Sequence, residues 1–184
     1  MHKLYFKYGT MGSSKTAQAL MCRFNYIQKG FNVLLLKPSI DTRDVNVKSR
    51  IGLEAPCIAI TPNQTISSVF DKTKHNVIII DESQFLTKKQ VEEVKELTEY
   101  VPVLCFGLLT NFKTELFEGS KRLIELSDSI TEIKSVCKCG RKSILNGRII
   151  DGKLVTEGPE ICIGADESYV NLCYNCFKHY NDKK

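Results

Sequence analysis

An α/β fold, built on a parallel sheet flanked by helices, is what this chain predicts. Three observations carry that expectation. Strand-like runs alternate with helix-like runs through the first two thirds of the sequence. Some strand runs, such as Val77-Ile78-Ile79-Ile80, are apolar throughout, which suits strands covered on both faces. The first strand opens through a small-residue loop, Gly9-Thr10-Met11-Gly12-Ser13-Ser14-Lys15-Thr16, straight into a helix. That is the local order of a phosphate-binding βα unit.

Residues 4–8 alternate and read as the first strand, and residues 17–23 open the first helix. Residues 32–37 form a β-run stopped by Pro38. Residues 57–60 make a short strand, and residues 77–80 a strongly β-forming one that ends in Asp81-Glu82. Val91, Val94 and Leu97 share one face of an amphipathic helix over 91–97. Residues 101–106 form a strand ended by Gly107, residues 116–126 a helix, and residues 129–136 a final strand. Parallel sheets place ligand sites at the carboxyl ends of their strands. Residues 9–16, 41–43, 81–85 and 107–112 all follow strand ends, so the topology can bring them to one edge.

At the first cysteine pair the character changes. The expected division is a nucleotide-binding domain over 1–135 and a small second domain over 136–184. Asn146-Gly147 and Asp151-Gly152 read as hairpin turns. Residues 156–164 contain Gly158, Pro159 and Gly164 and read as a long loop.

The chain has 184 residues and no Trp, which fits one full domain with a small appendage. A domain of ~150 residues buries about 70% of its unfolded surface, so the core can be substantial. No apolar run reaches the ~20 residues needed to cross a bilayer. Met1-His2-Lys3 leads directly into a strand, so no signal peptide is expected. A cytoplasmic protein without membrane contact follows as the expectation. The net charge of +5 is mild and scattered. It suits small polyanions such as nucleotides, and no nucleic-acid partner is expected.

The phosphate loop departs from the pattern G-x-x-x-x-G-K-[ST] at one place, where Ser14 stands for the second glycine. Backbone N–H groups of such a loop and of the helix start face nucleotide phosphates. Lys15 would reach the terminal phosphates, and the Thr16 hydroxyl would take a position on Mg²⁺. The plain alternative is a Gly/Ser-rich connection ending at a helix cap. Asp81 and Glu82 follow the β-branched strand. One acid there can assist Mg²⁺ while the other accepts a proton from an attacking hydroxyl. Alternatively both cap the next helix from a turn containing Ser83. Asp41-Thr42-Arg43 follows the second strand. Its arginine can neutralise developing phosphate charge, or the three residues form a surface turn with an internal ion pair.

Eight cysteines are present. Cys22, Cys57, Cys105 and Cys162 lie singly in apolar contexts and read as buried thiols. The others pair as Cys137-Lys138-Cys139 and Cys173-Tyr174-Asn175-Cys176. Paired cysteines in a cytosolic chain suggest metal before disulfide. Four thiolates suit a structural Zn²⁺, which leaves no open position for water. Such a metal would fold a segment too small to have its own core. Gly140-Arg141-Lys142, with exposed basic residues after the first pair, leaves a nucleic-acid-binding ribbon as the alternative.

Taken together, these residues resemble the zinc-containing (type II) thymidine kinases, cellular and bacterial. The resemblance covers nearly the whole chain. It runs through residues 9–16, Ile40-Asp41-Thr42-Arg43, Ser49-Arg50-Ile51-Gly52-Leu53, residues 80–86, residues 101–108 and Asn111-Phe112. It ends with residues 137–142, Ile163-Gly164-Ala165-Asp166-Glu167-Ser168-Tyr169 and the final cysteine pair. The resemblance implies a P-loop kinase (RecA-like) domain and a zinc domain whose loop folds over the substrate as a lasso. It implies thymidine and ATP as substrates, Mg²⁺ and structural Zn²⁺ as metals, a homotetramer, and feedback inhibition by thymidine triphosphate (dTTP).

By the same resemblance, Glu82 would be the general base for the nucleoside 5′-hydroxyl. Lys15 and Arg43 would act on the transferring phosphate. Residues 9–16, Asp41, Asp81, Glu82, Ser83 and Gln84 would form the ATP and Mg²⁺ site. Phe85, Phe112, Ile163, Gly164 and Tyr169 would hold thymidine. Leu109 stands where many relatives are polar and receives no role.

Overall fold

The computed structural model of the chain describes residues 1–38, 46–159 and 169–182. Its centre is one sheet. Strand β1 (Leu4–Tyr8) leads to helix α1 (Lys15–Gln28) and β2 (Val33–Pro38). A small hairpin, β3 (Asn46–Lys48) and β4 (Glu54–Pro56), precedes β5 (Ile58–Ile60) and β6 (Val77–Ile80). A 3₁₀ turn (Ser83–Phe85), helix α2 (Lys88–Leu97), β7 (Val103–Gly107), helix α3 (Glu118–Leu126) and β8 (Ser129–Glu132) complete this part. The sheet order is β5-β2-β6-β7-β1-β8, with every neighbouring pair parallel. The parallel α/β expectation therefore holds.

Side-chain alternation divides the core between the two faces of the sheet. Leu4, Phe6, Leu34, Leu36, Ile78 and Ile80 face α2 and α3, where Val91, Val94, Leu97 and Leu123 pack against them. Leu35, Ile79, Leu104 and Phe106 face α1 and pack on Ala19 and Leu20. A fully buried aliphatic side chain is worth about 1.5–3 kcal/mol, so runs such as 77–80 stabilise both layers at once. Among the single cysteines, Cys105 is buried, while Cys22 and Cys57 are only half-buried.

Helix α2 begins before its apolar stripe because Thr87 caps it. The Gln90 N–H donates to the Thr87 hydroxyl at 3.2 Å, and the Thr87 N–H donates back to the Gln90 side chain at 3.0 Å.

Residues 129–136 are not one strand. The Ile133 N–H donates to the Tyr8 carbonyl at 2.7 Å, and the Ile133 side chain is buried. β8 ends at Glu132, and past that last bond the chain leaves the sheet. β9 (Ser135–Val136) pairs instead with β10 (Lys142–Ser143), antiparallel.

The C-terminal module adds β11 (Leu145–Ile150), β12 (Lys153–Val155), β13 (Tyr169–Leu172) and helix α4 (Tyr174–Lys178). Their sheet order is β12-β11-β13, antiparallel. Asp151-Gly152 is the predicted turn, with φ of 49° and 73°. Asn146-Gly147 is not a turn but lies inside β11, opposite Val170 and Asn171. Gly147 is there for packing, since a Cβ would meet the δ-methyls of Leu154 and Leu172 at 2.8 Å. The predicted loop over 156–164 is irregular at 156–159, and its remainder lies outside the described residues.

Candidate active site

The edge formed by the carboxyl ends of β1, β6 and β7 carries the chemistry. The Gly9 N–H donates to the Gly107 carbonyl at 3.2 Å, which joins the start of the phosphate loop to the end of β7. A Cβ on Gly9 would sit 2.4 Å from the Ser13 hydroxyl and 2.6 Å from the Ile133 carbonyl, so only glycine fits. The loop curls tightly, with the Ser13 N–H donating to the Thr10 carbonyl at 3.2 Å. Helix α1 then starts at Lys15 with no side-chain cap and no acidic residue in its first turn. Its positive end is thus left for an anion rather than neutralised by the chain itself.

Ser14 resolves the departure from the motif. It takes the left-handed conformation that glycine usually supplies, at φ 66° and ψ 22°, and its side chain is exposed. A left-handed serine costs about 1–2 kcal/mol. Ser14→Gly is therefore expected to raise the thermal midpoint and to leave ATP affinity unchanged or tighter. A large loss of ATP affinity in that variant would show that the Ser14 hydroxyl itself binds.

Lys15 is buried, and its ammonium donates to the Thr10 carbonyl at 2.8 Å. Desolvation lowers its pKa, opposed by the nearby Glu82 and Asp81 carboxylates. Asp81 is also buried and accepts from the Thr16 hydroxyl at 2.9 Å. Burial, reinforced by Glu82, pushes the Asp81 carboxyl up to about 6. A buried lysine and a buried aspartate at a strand edge, each disfavoured in its charged form by burial, mark a site suited to charged ligands.

Glu82 is half-buried and has left-handed backbone, with φ at 51°. It precedes the 3₁₀ turn but makes no side-chain cap bond to it. Helix α2 is capped by Thr87 instead. The reading in which the two acids serve as helix caps is thereby set aside. The Glu82 carboxylate accepts from the Gln84 amide at 2.5 Å. Gln84 itself is buried, and its carbonyl oxygen accepts from the Leu108 N–H at 3.0 Å. Ser83 is fully buried and donates to the Phe106 carbonyl at 3.0 Å. Both side chains fasten the turn to β7, and the fit is close. A Cβ on Gly107 would meet each of them at 2.7 Å, and one on Gly119 would meet the Leu86 carbonyl at 2.6 Å.

The four paired cysteines converge. The sulfurs of Cys137, Cys139, Cys173 and Cys176 all lie within 4.8 Å of one another, and Cys139 and Cys173 are 3.6 Å apart. Tetrahedral zinc with Zn–S bonds of about 2.3 Å requires sulfurs about 3.8 Å apart, so this donor set is compatible with a structural zinc site. The Cys176 N–H donates to the Cys173 sulfur at 3.4 Å, and that bond holds the Cys173 thiol below its ordinary value. Among the described residues, the buried cluster around the sulfurs adds only Leu154 and Leu172 to the cysteines themselves. So small a core needs a cross-link.

A family model described as thymidine kinase matches residues 2–177. The chain belongs to the thymidine kinase family. A thymidine kinase of Zymomonas mobilis is 42% identical, with 96% of each chain covered. That of Enterobacteria phage T4 is also 42% identical, over 99% of this chain and 97% of the phage protein. The Lactococcus lactis enzyme is 44% identical, over 98% and 97%.

Other residues that the thymidine kinase resemblance singled out are placed unevenly. Phe85 is exposed and packs edge-to-face on Phe117, with ring centroids 5.6 Å apart. Phe112 is buried, with the Arg148 guanidinium 5.2 Å from its ring centroid. Tyr169 opens β13 opposite Arg148. Asp41, Arg43, Ile163, Gly164 and Cys162 lie outside the described residues.

Sequence reasoning gave no role to two residues that the geometry brings to the loop. The Arg50 guanidinium lies 4.0 Å from where a Cβ on Gly12 would stand. No spacing rule points to it, because it arrives from the β3–β4 hairpin. Asn146 bonds to the loop backbone itself, and its Asn-Gly pairing disguised it as a turn. Among the described residues, no helix is long and apolar enough to cross a membrane.

Proposed function

We propose that this family member transfers the γ-phosphate of ATP to the 5′-hydroxyl of thymidine, giving ADP and thymidine 5′-monophosphate. The observation that carries the reading is the Thr16–Asp81 hydrogen bond across the sheet edge. It joins the phosphate loop to the acid pair at one point. Phosphoryl transfer of this kind depends on positioning and on charge stabilisation.

The N–H groups of residues 9–16 and the α1 N-terminus cradle the triphosphate. Lys15 leaves the Thr10 carbonyl to meet the β- and γ-phosphates. Arg43, by resemblance, and Arg50, by its place beside Gly12, add positive charge. Thr16 and Asp81 are the residues that would hold Mg²⁺, with Asp41 nearby. That ion, when bound, neutralises charge on the phosphate oxygens. Glu82 takes the proton of the 5′-hydroxyl, and Gln84 and Ser83 hold the turn that aims it. Phe85, Phe112 and Tyr169 enclose the thymine, while Ile163 and Gly164 read its edge through backbone groups. ADP formation that depends on added thymidine tests this reading. ADP formed equally without nucleoside would overturn it.

The proposed division at residue 135 is supported by the departure of the chain from the central sheet after β8. Zn²⁺ is proposed at the four sulfurs. Elemental analysis should find one zinc per chain. Cys176→Ser should lose that zinc and weaken thymidine binding while the circular dichroism of the α/β part persists. Normal thymidine affinity in the zinc-free variant would contradict the supporting role of the metal.

The homotetramer is proposed from the resemblance. An exposed apolar stripe on and just after α1, formed by Met21, Phe24, Ile27 and Phe31, supports self-association. Thymidine triphosphate combines the thymine and the triphosphate, so it suits both subsites at once and is the proposed feedback inhibitor. A cytoplasmic location fits the supply of ATP.

A further inference from the structure

The central sheet holds the start of the phosphate loop, and α1 holds its end. Its middle is held from the C-terminal module. Asn146 in β11 accepts from the Met11 N–H at 2.8 Å and donates to the Thr110 carbonyl at 3.0 Å. One buried side chain thus clips the loop to the segment that follows β7.

A second tie lies beside it. The Thr10 hydroxyl is 2.5 Å from that of Ser135 and 3.3 Å from that of Ser143, and those two are 2.6 Å apart. Asn171 donates to both serines, at 3.3 and 3.2 Å, and to the Val136 carbonyl at 3.2 Å. These residues come from β9, β10 and β13. Thr10, Ser143 and Asn146 are buried, with Ser135 and Asn171 half-buried beside them, and such a network favours the geometry that pairs all its members.

What it fixes is the carbonyl of Thr10, on which the Lys15 ammonium rests. A cavity of about 150 Å³ runs alongside, lined by Gly9, Thr10, Leu109, Thr110 and Asn146 among others. Without the clip the loop has room to shift.

We propose that Asn146, with the Thr10–Ser135–Ser143 hydroxyl cluster, is the positioning device of the phosphate loop, through which the four-cysteine module sets the affinity of the ATP site. The inference rests on the proposed ATP-binding role of that loop.

The test is equilibrium titration of the full-length protein with ATP, without nucleoside, alongside thymidine affinity and zinc content. Asn146→Ala should weaken ATP binding by about tenfold, the scale of a lost buried hydrogen bond. Thymidine affinity and zinc content should stay at parent values. Thr10→Val, which keeps the shape and removes the hydroxyl, should weaken ATP binding in the same direction, and Thr10→Ser should restore it. ATP affinity within about twofold of the parent in both Asn146→Ala and Thr10→Val would overturn the proposal. So would joint loss of ATP, thymidine and zinc in both, since that signals a merely structural role. The proposed function fails on the parent's nucleoside dependence and this inference on the variants' ATP affinity, so the two failures are distinguishable.

Discussion

Glu82→Gln lowers the turnover number by about 10²–10⁴-fold while ATP and thymidine still bind, the range expected when a positioned general base is lost. The substitution keeps the shape of the side chain and an oxygen that can accept from Gln84. It removes only the basicity. The local geometry favours a chemical over a structural role. Glu82 pays for a left-handed backbone conformation, caps neither the 3₁₀ turn nor α2, and is held from one side by a buried glutamine. Strain of that kind at a strand edge persists where the surroundings enforce it, and functional sites are where it gathers. Steady-state kinetics with separate binding titrations checks the expectation. Turnover within a few-fold of the parent would remove Glu82 from the chemistry.

Lys15→Ala abolishes measurable phosphoryl transfer, a loss of about 10³-fold or more by analogy with other charge-stabilising groups. Lys15 is the only cationic side chain within residues 9–16. The fold should survive the change. Lys15 belongs to neither apolar layer of the core, so its removal leaves both layers packed. The expected pattern is a folded protein by circular dichroism, with ADP formation lost. A variant with substantial ADP formation would assign the phosphate charge to Arg50 or Arg43 instead.

Much of the fold was legible because periodicity reports burial directly. An unbroken β-branched run such as 77–80 fits a strand buried on both faces. Val91, Val94 and Leu97 mark one helix face, whatever caps it. The strand-end rule then placed residues 9–16, 81–85 and 107–112 on one edge without any contact being known. Two places misled. The β-rich stretch 129–136 hides a change of partner at Ile133, because strand propensity does not say which sheet a residue joins. Asn146-Gly147 has turn chemistry, yet the Asn side chain serves the phosphate loop and the Gly makes room for two leucines. Both are long-range demands, invisible to a local window. Arg50 is similar, since it meets Gly12 only after the chain has folded back through the β3–β4 hairpin. The cysteine pairs were legible for the opposite reason: their chemistry constrains their spacing.

Product analysis tests the central reading most directly. The purified protein is given ATP, Mg²⁺ and one nucleoside at a time, and the site of phosphorylation is determined by mass spectrometry and phosphorus NMR. The predicted result is thymidine 5′-monophosphate formed in equal amount with ADP, with no product from deoxyadenosine, deoxyguanosine or deoxycytidine. Equal phosphorylation of all four nucleosides, or ADP released with inorganic phosphate and no nucleotide product, would contradict it.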